Sequence, residues 1–176
     1  MKKICICGGG SLGHVIAGYL SANGKATVSI LTNHPTAWQN KIEICVPDNG
    51  EMLIGNIACV SANPAEALLD AEIVLLCLPG FLIKDELIKI IDELTNEGDT
   101  VSCGGSMTLF EAGVIDYLRS KRFNFLDRYE ENLTKDGLKE LYRKTFSADV
   151  FFTSTNAITE DGELYNVDGN GNRVAA

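Results

Sequence analysis

The feature that most constrains this chain is a run of glycines wedged between a strand pattern and a helix pattern near its start. Ile4-Cys5-Ile6-Cys7 is a short apolar run of the kind a buried parallel strand requires. Gly8, Gly10 and Gly13 then spell G-x-G-x-x-G, with Ser11 and Leu12 between the last two. From Leu12 the apolar residues fall at Leu12, Val15, Ile16, Tyr19 and Leu20, the spacing of one helix face, and Gly24 stands where a helix-terminating glycine belongs. That context separates a dinucleotide fingerprint from a chance match.

Each glycine has a chemical reason. Gly8 makes the tight turn, Gly10 lets the backbone approach a pyrophosphate, and Gly13 lets the helix pack close to the strand. The helix start, Ser11-Leu12-Gly13, offers unpaired N–H groups and a partial positive charge to the phosphates. The second strand is expected at Ala26–Leu31, and its end selects the cofactor. NAD enzymes usually carry an acid there to hold the ribose hydroxyls. This chain carries Leu31-Thr32-Asn33-His34-Pro35, with neither an acid to repel a 2′-phosphate nor an arginine to hold one. Thr32 and Asn33 can hydrogen-bond either group, so the cofactor is NAD or NADP, leaning to NADP.

The net charge of −9 and pI near 4.7 argue against nucleic acid or an anionic membrane as partner. No apolar run reaches the length of a membrane span, and the chain enters its first strand with no leader-like segment, so the cytoplasm is the expected compartment. Cys5, Cys7, Cys45, Cys59, Cys77 and Cys103 lie in apolar, strand-like runs without C-x-x-C spacing. They read as small buried hydrophobes, and no metal is expected.

Further along, Ile42–Val46 and Met52–Ile54 flank Asn49-Gly50, a strong hairpin signal. Ala58–Ser61 reads as the next strand of the sheet, and Pro64–Leu69 as a short helix with proline at its first position. Ile73–Leu78 reads as a strand buried on both faces. It ends at Leu78-Pro79-Gly80, on the sheet edge where a nicotinamide ribose would pass. Ile83, Leu87, Ile90, Ile91 and Leu94 mark a helix.

Beyond it come a strand, Thr100–Cys103, and a second glycine loop, Gly104-Gly105-Ser106. The loop reads either as a second phosphate or carboxylate site or as only the tight turn of a strand–helix unit. Thr108 and Glu111 match a capping box, with Met107, Phe110, Val114, Tyr117 and Leu118 on one helix face. Phe123–Leu126 is a short apolar run, Thr134 caps another helix, and Val150–Thr153 is a last parallel strand. A hairpin turns at Asp161-Gly162 between Ile158 and Leu164. The expected fold is three-layer α/β, Rossmann-like, with one mostly parallel sheet in the order 3-2-1-4-5-6 and helices on both faces. An open edge at Val150–Thr153 would invite a second copy, making a homodimer a possible partner.

Two weaker patterns read as structural. Asp168-Gly-Asn-Gly-Asn172 begins like a calcium loop, but Arg173 stands where glycine is needed. Glu160, Asp161 and Glu163 flank a turn, as a solvated tip would. His14 reads as a half-exposed helix residue that could touch a phosphate.

The quoted motifs carry two resemblances. Cys7-Gly-Gly-Gly-Ser-Leu-Gly13-His, with Pro64–Phe81 closing on Pro79-Gly-Phe81, makes residues 1 to about 92 resemble the nucleotide-binding half of the opine dehydrogenases, octopine and nopaline dehydrogenase among them. That implies NAD(P)H and reduction of an imine formed from an amino acid and a 2-oxo acid. The family's catalytic residues lie in a helical C-terminal domain with no counterpart here. Asp99–Leu109, Leu126-Asp-Arg-Tyr129 and Thr153–Arg173 resemble the lactate-utilisation (LUD) domain family in order and spacing. This second resemblance implies an α/β fold related to CoA-transferases and a link to lactate oxidation. The family pattern would run on past Ala176, so a piece of such a domain is expected. The division is then a cofactor half at 1–95 and a LUD-type fragment at 96–176, packed as one continuous domain. A seam near Leu94–Gly98 suggests a fusion, natural or engineered. The leading reading is an NAD(P)-binding module without a complete catalytic apparatus. The alternatives are a LUD-type protein of lactate utilisation or an engineered chimera with no activity of its own.

Overall fold

The structure is a computed structural model and describes residues 1–24, 26–120, 122–159, 163–169 and 171. The chain divides into two compact units: Met1–Ile83 with Ile158–Glu163, and Lys84–Ala157 with Leu164–Ala176.

In the first unit, strand β1 (Lys2–Cys7) is central, and Ile4 to Cys7 are all buried. It pairs in parallel with β2 (Ala26–Leu31), Ile6 opposite Ile30. Helix α1 (Ser11–Ala22) makes the crossover that parallel strands need and ends at Asn23 and Gly24, the latter at φ +64°. Strand β3 (Lys41–Cys45) turns through Asn49-Gly50 into β4 (Met52–Ser61). There the Gly50 N–H donates to the Val46 carbonyl at 2.9 Å. The two expected strands, Met52–Ile54 and Ala58–Ser61, are one. The first half of β4 pairs antiparallel with β3 and the second half parallel with β2, with an irregularity at Val28/Ser29. Asn63 caps α2 (Pro64–Ala67), accepting the Ala65 N–H at 3.1 Å. Strand β5 (Ile73–Leu76) returns beside β1.

The sheet order is β3-β4-β2-β1-β5, so its parallel strands follow the expected 3-2-1-4 with a hairpin strand added at the edge. The core is Ile4, Ile6, Ala17, Leu20, Val28, Ile30, Ile42 and Ile57. Two expectations fail here. Every residue of β5 is only half-buried, because the strand ends the sheet and pairs with β1 alone. The buried face of α1 is Gly13, Ala17, Gly18 and Leu20, while Leu12 and Val15 are exposed. A helix lying this close to a sheet selects small residues at the closest contact, and in its first turns Leu12 and Val15 are turned outward.

Helix α3 (Gly80–Leu94) buries Leu87, Ile90 and Ile91 and spans the boundary between the units. The second unit has its own parallel sheet, β7 (Asn124–Leu126), β6 (Thr100–Cys103) and β8 (Val150–Phe152), in the order β7-β6-β8. The single sheet expected from the sequence is therefore two, with the 5-6 continuation replaced by a separate ladder. Val101 stands opposite both Phe125 and Val150. The expected long helix after the second glycine loop is also two, α4 (Met107–Glu111) and α5 (Val114–Leu118), split by Gly113 at φ +68°. Ser106, not Thr108, caps α4, and Met107 is exposed. The buried residues of the pair are Leu109, Val114, Ile115 and Leu118.

Helix α6 (Lys135–Thr145) starts at the expected cap, Thr134, whose hydroxyl accepts the Gly137 N–H at 3.0 Å. Its Thr145 meets the buried Ser102 of β6, hydroxyl to hydroxyl at 2.8 Å. Asp92 accepts from both the Tyr117 hydroxyl and the Arg122 guanidinium, which ties α3 to α5 and the chain after it. The last two strands, β9 (Ala157–Ile158) and β10 (Leu164–Tyr165), form a short hairpin. Its turn, with Glu160, Asp161 and Gly162, lies outside the described residues, as do Asn170, Asn172 and Arg173 of the calcium-like stretch. Within that stretch the Gly171 N–H donates to the Asp168 carboxylate, the geometry of a polar turn.

Candidate dinucleotide site

The fingerprint loop is built on β1. The Gly8 N–H donates to the Leu31 carbonyl at 3.0 Å, and the Cys77 N–H to the Cys7 carbonyl at 2.8 Å. The loop is therefore fixed to both neighbouring strands. Gly8 sits at φ +121°, where a Cβ would stand 2.4 Å from the Cys77 carbonyl oxygen. Gly13 presses on the loop from the helix side, since its Cβ would stand 2.1 Å from the Gly8 carbonyl oxygen. Both glycines are required by the protein's own packing.

Gly10 differs. A Cβ there would meet nothing within 4 Å, and its φ of −80° suits any residue. The fold gives Gly10 no reason to be glycine, yet the space it leaves open faces the start of α1. The first intrahelical bond runs from the His14 N–H to the Gly10 carbonyl at 3.0 Å. The Ser11, Leu12 and Gly13 N–H groups thus have no partner within the helix. No side chain caps this end and no acid occupies the first turn. The arrangement presents donors and a positive dipole end to an anion.

The other predicted residues gather unevenly. Thr32 is buried; its N–H donates to the Ser61 carbonyl at 3.0 Å, and its hydroxyl accepts the His34 N–H at 3.3 Å. The hydroxyl also lies 2.8 Å from where a Gly9 Cβ would be, against the glycine loop. Asn33 is exposed. Leu78 reaches the loop, its Cδ2 3.2 Å from the Gly8 Cβ position, while Pro79 is exposed.

Sequence reasoning missed an aromatic pair. His14 stacks on Trp38, ring centroids 3.8 Å apart and 19° from parallel, and His14 Nδ1 lies 3.2 Å from the Gly10 carbonyl. The Trp38 Nε1 lies 3.0 Å from the Gly9 Cβ position, so Gly9 is closely bounded as well. The only signal was that the single tryptophan follows the β2 end by a few residues.

The second loop is differently made. Gly104 is buried and its N–H donates to the Phe152 carbonyl at 2.8 Å. The Tyr129 hydroxyl bridges the loop, accepting the Ser106 N–H at 3.2 Å and donating to the Gly104 carbonyl at 3.3 Å. The Ser106 hydroxyl accepts the Leu109 N–H at 3.4 Å. Gly105 is exposed, and its Cβ position lies 3.7 Å from an Arg128 guanidinium nitrogen. Beneath the loop, burial pushes the Cys103 thiol up to about 11, so it is no thiolate nucleophile near neutrality.

Among the described residues, no group of three or more His, Cys, Asp or Glu side chains is placed to hold a metal ion. No helix among them is long and apolar enough to cross a membrane. Of the six cysteines, Cys5, Cys7 and Cys103 are buried as expected, Cys59 and Cys77 are intermediate, and Cys45 is exposed. Cys45 ends a strand at the sheet's edge, where an apolar run gains little cover.

The LUD domain pattern matches residues 81–176. The chain belongs to the LUD domain family. The match begins with α3 and takes in the whole of the second sheet. Among solved structures, the chain is similar to octopine dehydrogenase in complex with NADH and agmatine, at TM-score 0.54 and 17% identity. It is also similar to octopine dehydrogenase with NADH and pyruvate, at TM-score 0.55 and 19% identity. Each comparison covers 71% of this LUD-family chain and 34% of the other, so the chain spans about a third of the length of those enzymes. At this identity the likeness shows the fold, a Rossmann-like α/β arrangement. No curated protein matches the chain.

Proposed function

We propose that the first unit binds a nicotinamide dinucleotide, as the cofactor half of an opine dehydrogenase does, in the same chain as a LUD-family unit. Gly8, Gly10, Ser11, Leu12 and Gly13 would cradle the pyrophosphate. Thr32 and Asn33 would meet the adenosine ribose, and Leu78 and Pro79 would flank the nicotinamide ribose. The observation that carries this reading is the contrast within the fingerprint. Gly8 and Gly13 are forced by packing, whereas Gly10 faces open space at an uncapped helix start. The octopine dehydrogenase structures of similar fold hold NADH, which supports the same cofactor class here. No carboxylate follows β2, and the Thr32 hydroxyl already accepts the His34 N–H. A 2′-phosphate would meet no repelling charge there, so NADP is the favoured dinucleotide.

The test is a thermal melt with and without millimolar NAD(H), NADP(H) and ADP-ribose. A ligand of the folded state at 100 times its Kd stabilises it by about 2.7 kcal/mol. The expected outcome is a melt raised by NADP(H) above NAD(H), and no rise in Gly10→Val. A cooperative melt that no nucleotide moves would refute the proposal. A second reading, carried by the family match over residues 81–176, is a role in lactate utilisation. It predicts that deleting the gene impairs growth on lactate, whatever the nucleotide result.

A further inference from the structure

Among the described residues, Arg128 is the one arginine of the second unit that is half-buried and yet has no acid. Arg119 pairs with Asp127 at 2.7 Å, and Arg122 with Asp92. Arg143 is exposed to water. Among the described residues Arg128 makes no ion pair and no hydrogen bond. Its guanidinium lies over two rings instead, 5.6 Å from the Tyr129 centroid and 5.2 Å from that of Tyr142. Two aromatic contacts fix the plane of a guanidinium and strip part of its water, but they satisfy none of its five N–H donors. Removing water from a charge without giving it a partner is costly, and a planar fork held in place matches an oxyanion bidentately.

What lies beside that fork is equally specific. All three guanidinium heavy atoms nearest the loop, Nη1, Cζ and Nη2, are 3.7 to 3.9 Å from the Gly105 Cβ position. Gly105 has no positive φ, so no backbone constraint calls for glycine there. A larger side chain would cover the guanidinium. The Tyr129 ring that supports Arg128 also clamps the loop through its hydroxyl, so loop and arginine are held by one residue. Ser106 accepts the Leu109 N–H through its hydroxyl oxygen and keeps its own proton to donate.

We propose that Arg128, with Gly105 and Ser106, forms a carboxylate-binding site in the LUD-family unit, taking the carboxylate of a small organic acid. A monoanion is favoured over a phosphate dianion by the charge balance. Of the three residues only Arg128 carries a charge, and its single positive charge is balanced by one carboxylate, whereas the nearby Asp127 and Arg119 already neutralise each other. The site is independent of the dinucleotide proposal, since it uses no residue of the first unit.

The experiment is phenylglyoxal labelling of the native protein, with modification of each arginine followed by peptide mass spectrometry. Labelling is compared in acetate, inorganic phosphate and chloride at equal ionic strength. Acetate is expected to slow Arg128 at least threefold relative to chloride, and to leave exposed Arg143 unchanged. In Gly105→Val, whose added Cβ makes only ordinary contact, Arg128 is expected to label slowly in chloride and to gain no further protection from acetate. Equal slowing of Arg128 and Arg143, or none, overturns the site. Protection by phosphate without protection by acetate overturns the carboxylate assignment. An acetate effect that persists undiminished in Gly105→Val overturns the place given to the loop.

Discussion

Alanine at Gly10 and at Gly13 separates what the fingerprint does for the fold from what it does for a ligand. A Gly13 Cβ would sit 2.1 Å from the Gly8 carbonyl oxygen, about 1 Å inside an ordinary contact, and that oxygen is backbone locked into the loop. Relief requires α1 to move off the sheet, where Ala17, Gly18 and Leu20 are buried. Overpacking of this kind costs about 1–3 kcal/mol. At Gly10 the same methyl enters open space with an unstrained φ, so the cost stays within about 0.5 kcal/mol. The assay is urea unfolding followed by the fluorescence of Trp38, the chain's single tryptophan, which lies in the first unit and therefore reports that unit. With a urea slope of about 2 kcal/mol/M, Gly13→Ala lowers the midpoint by roughly 0.5–1.5 M and Gly10→Ala by under roughly 0.3 M. Nucleotide-induced stabilisation should show the opposite emphasis and disappear in Gly10→Ala. A Gly13→Ala midpoint equal to wild type, or a Gly10→Ala midpoint equally lowered, would refute the reasoning.

Ser102 and Thr145 share a buried hydroxyl contact, so Ser102→Ala and Thr145→Val each cost about 1–2 kcal/mol, and the double variant costs less than the sum, as urea midpoints of a double-mutant cycle will show. In timed iodoacetamide labelling the exposed Cys45 reacts first, while Cys5 and Cys103 react only as fast as the protein opens. Burial raises both of those thiols from 9.0 to about 11. Above about pH 9 the unfolded chain loses protons that the folded state keeps, so stability is full below that pH and falls as pH rises towards 11. The loss is about 1.4 kcal/mol per pH unit for each thiol, and a urea midpoint at pH 10 no lower than at pH 8 contradicts it.

The parts of this fold that could be read from sequence are those whose cause is local. Strands at Ala26–Leu31 and Thr100–Cys103 follow from apolar runs bounded by glycine and polar residues. The turn at Asn49-Gly50, the proline-led start of α2 and the Thr134 cap follow from backbone chemistry within a few residues. What misled was periodicity taken as burial. Leu12 and Val15 have the right spacing, yet the sheet accepts Gly13, Ala17 and Gly18 because the loop draws the helix in close. The Thr108/Glu111 pattern was equally plausible on paper. Ser106 takes the cap two residues earlier, and Gly113 ends the helix before the expected apolar face can form. Pairing between strands has no local signature at all, so nothing near Ile73–Leu76 or Thr100–Cys103 says that they belong to different ladders.

The two glycine loops show the same limit at the level of function. Each follows a strand, each precedes a helix, and each places a serine near the helix start. At Ser11–Gly13 the amides stay unpartnered within the helix and nothing caps them, so the backbone itself is the candidate anion receptor. At Gly104–Ser106 the Ser106 amide is spent on Tyr129, a residue well downstream in the chain, and the short α4 is already capped by the Ser106 hydroxyl. Any anion there must be held by a side chain, and the structure supplies Arg128. Glycine spacing alone cannot distinguish these cases, because the deciding atoms belong to residues brought back by the fold. The Leu126-Asp-Arg-Tyr129 stretch carries both of them, the tyrosine that closes the loop's backbone and the arginine that replaces it as a donor. On this reasoning Tyr129→Phe frees the Ser106 amide but leaves the ring under Arg128. The arginine then labels with phenylglyoxal about as fast as in wild type, whereas Tyr129→Leu removes a stacking face and speeds it.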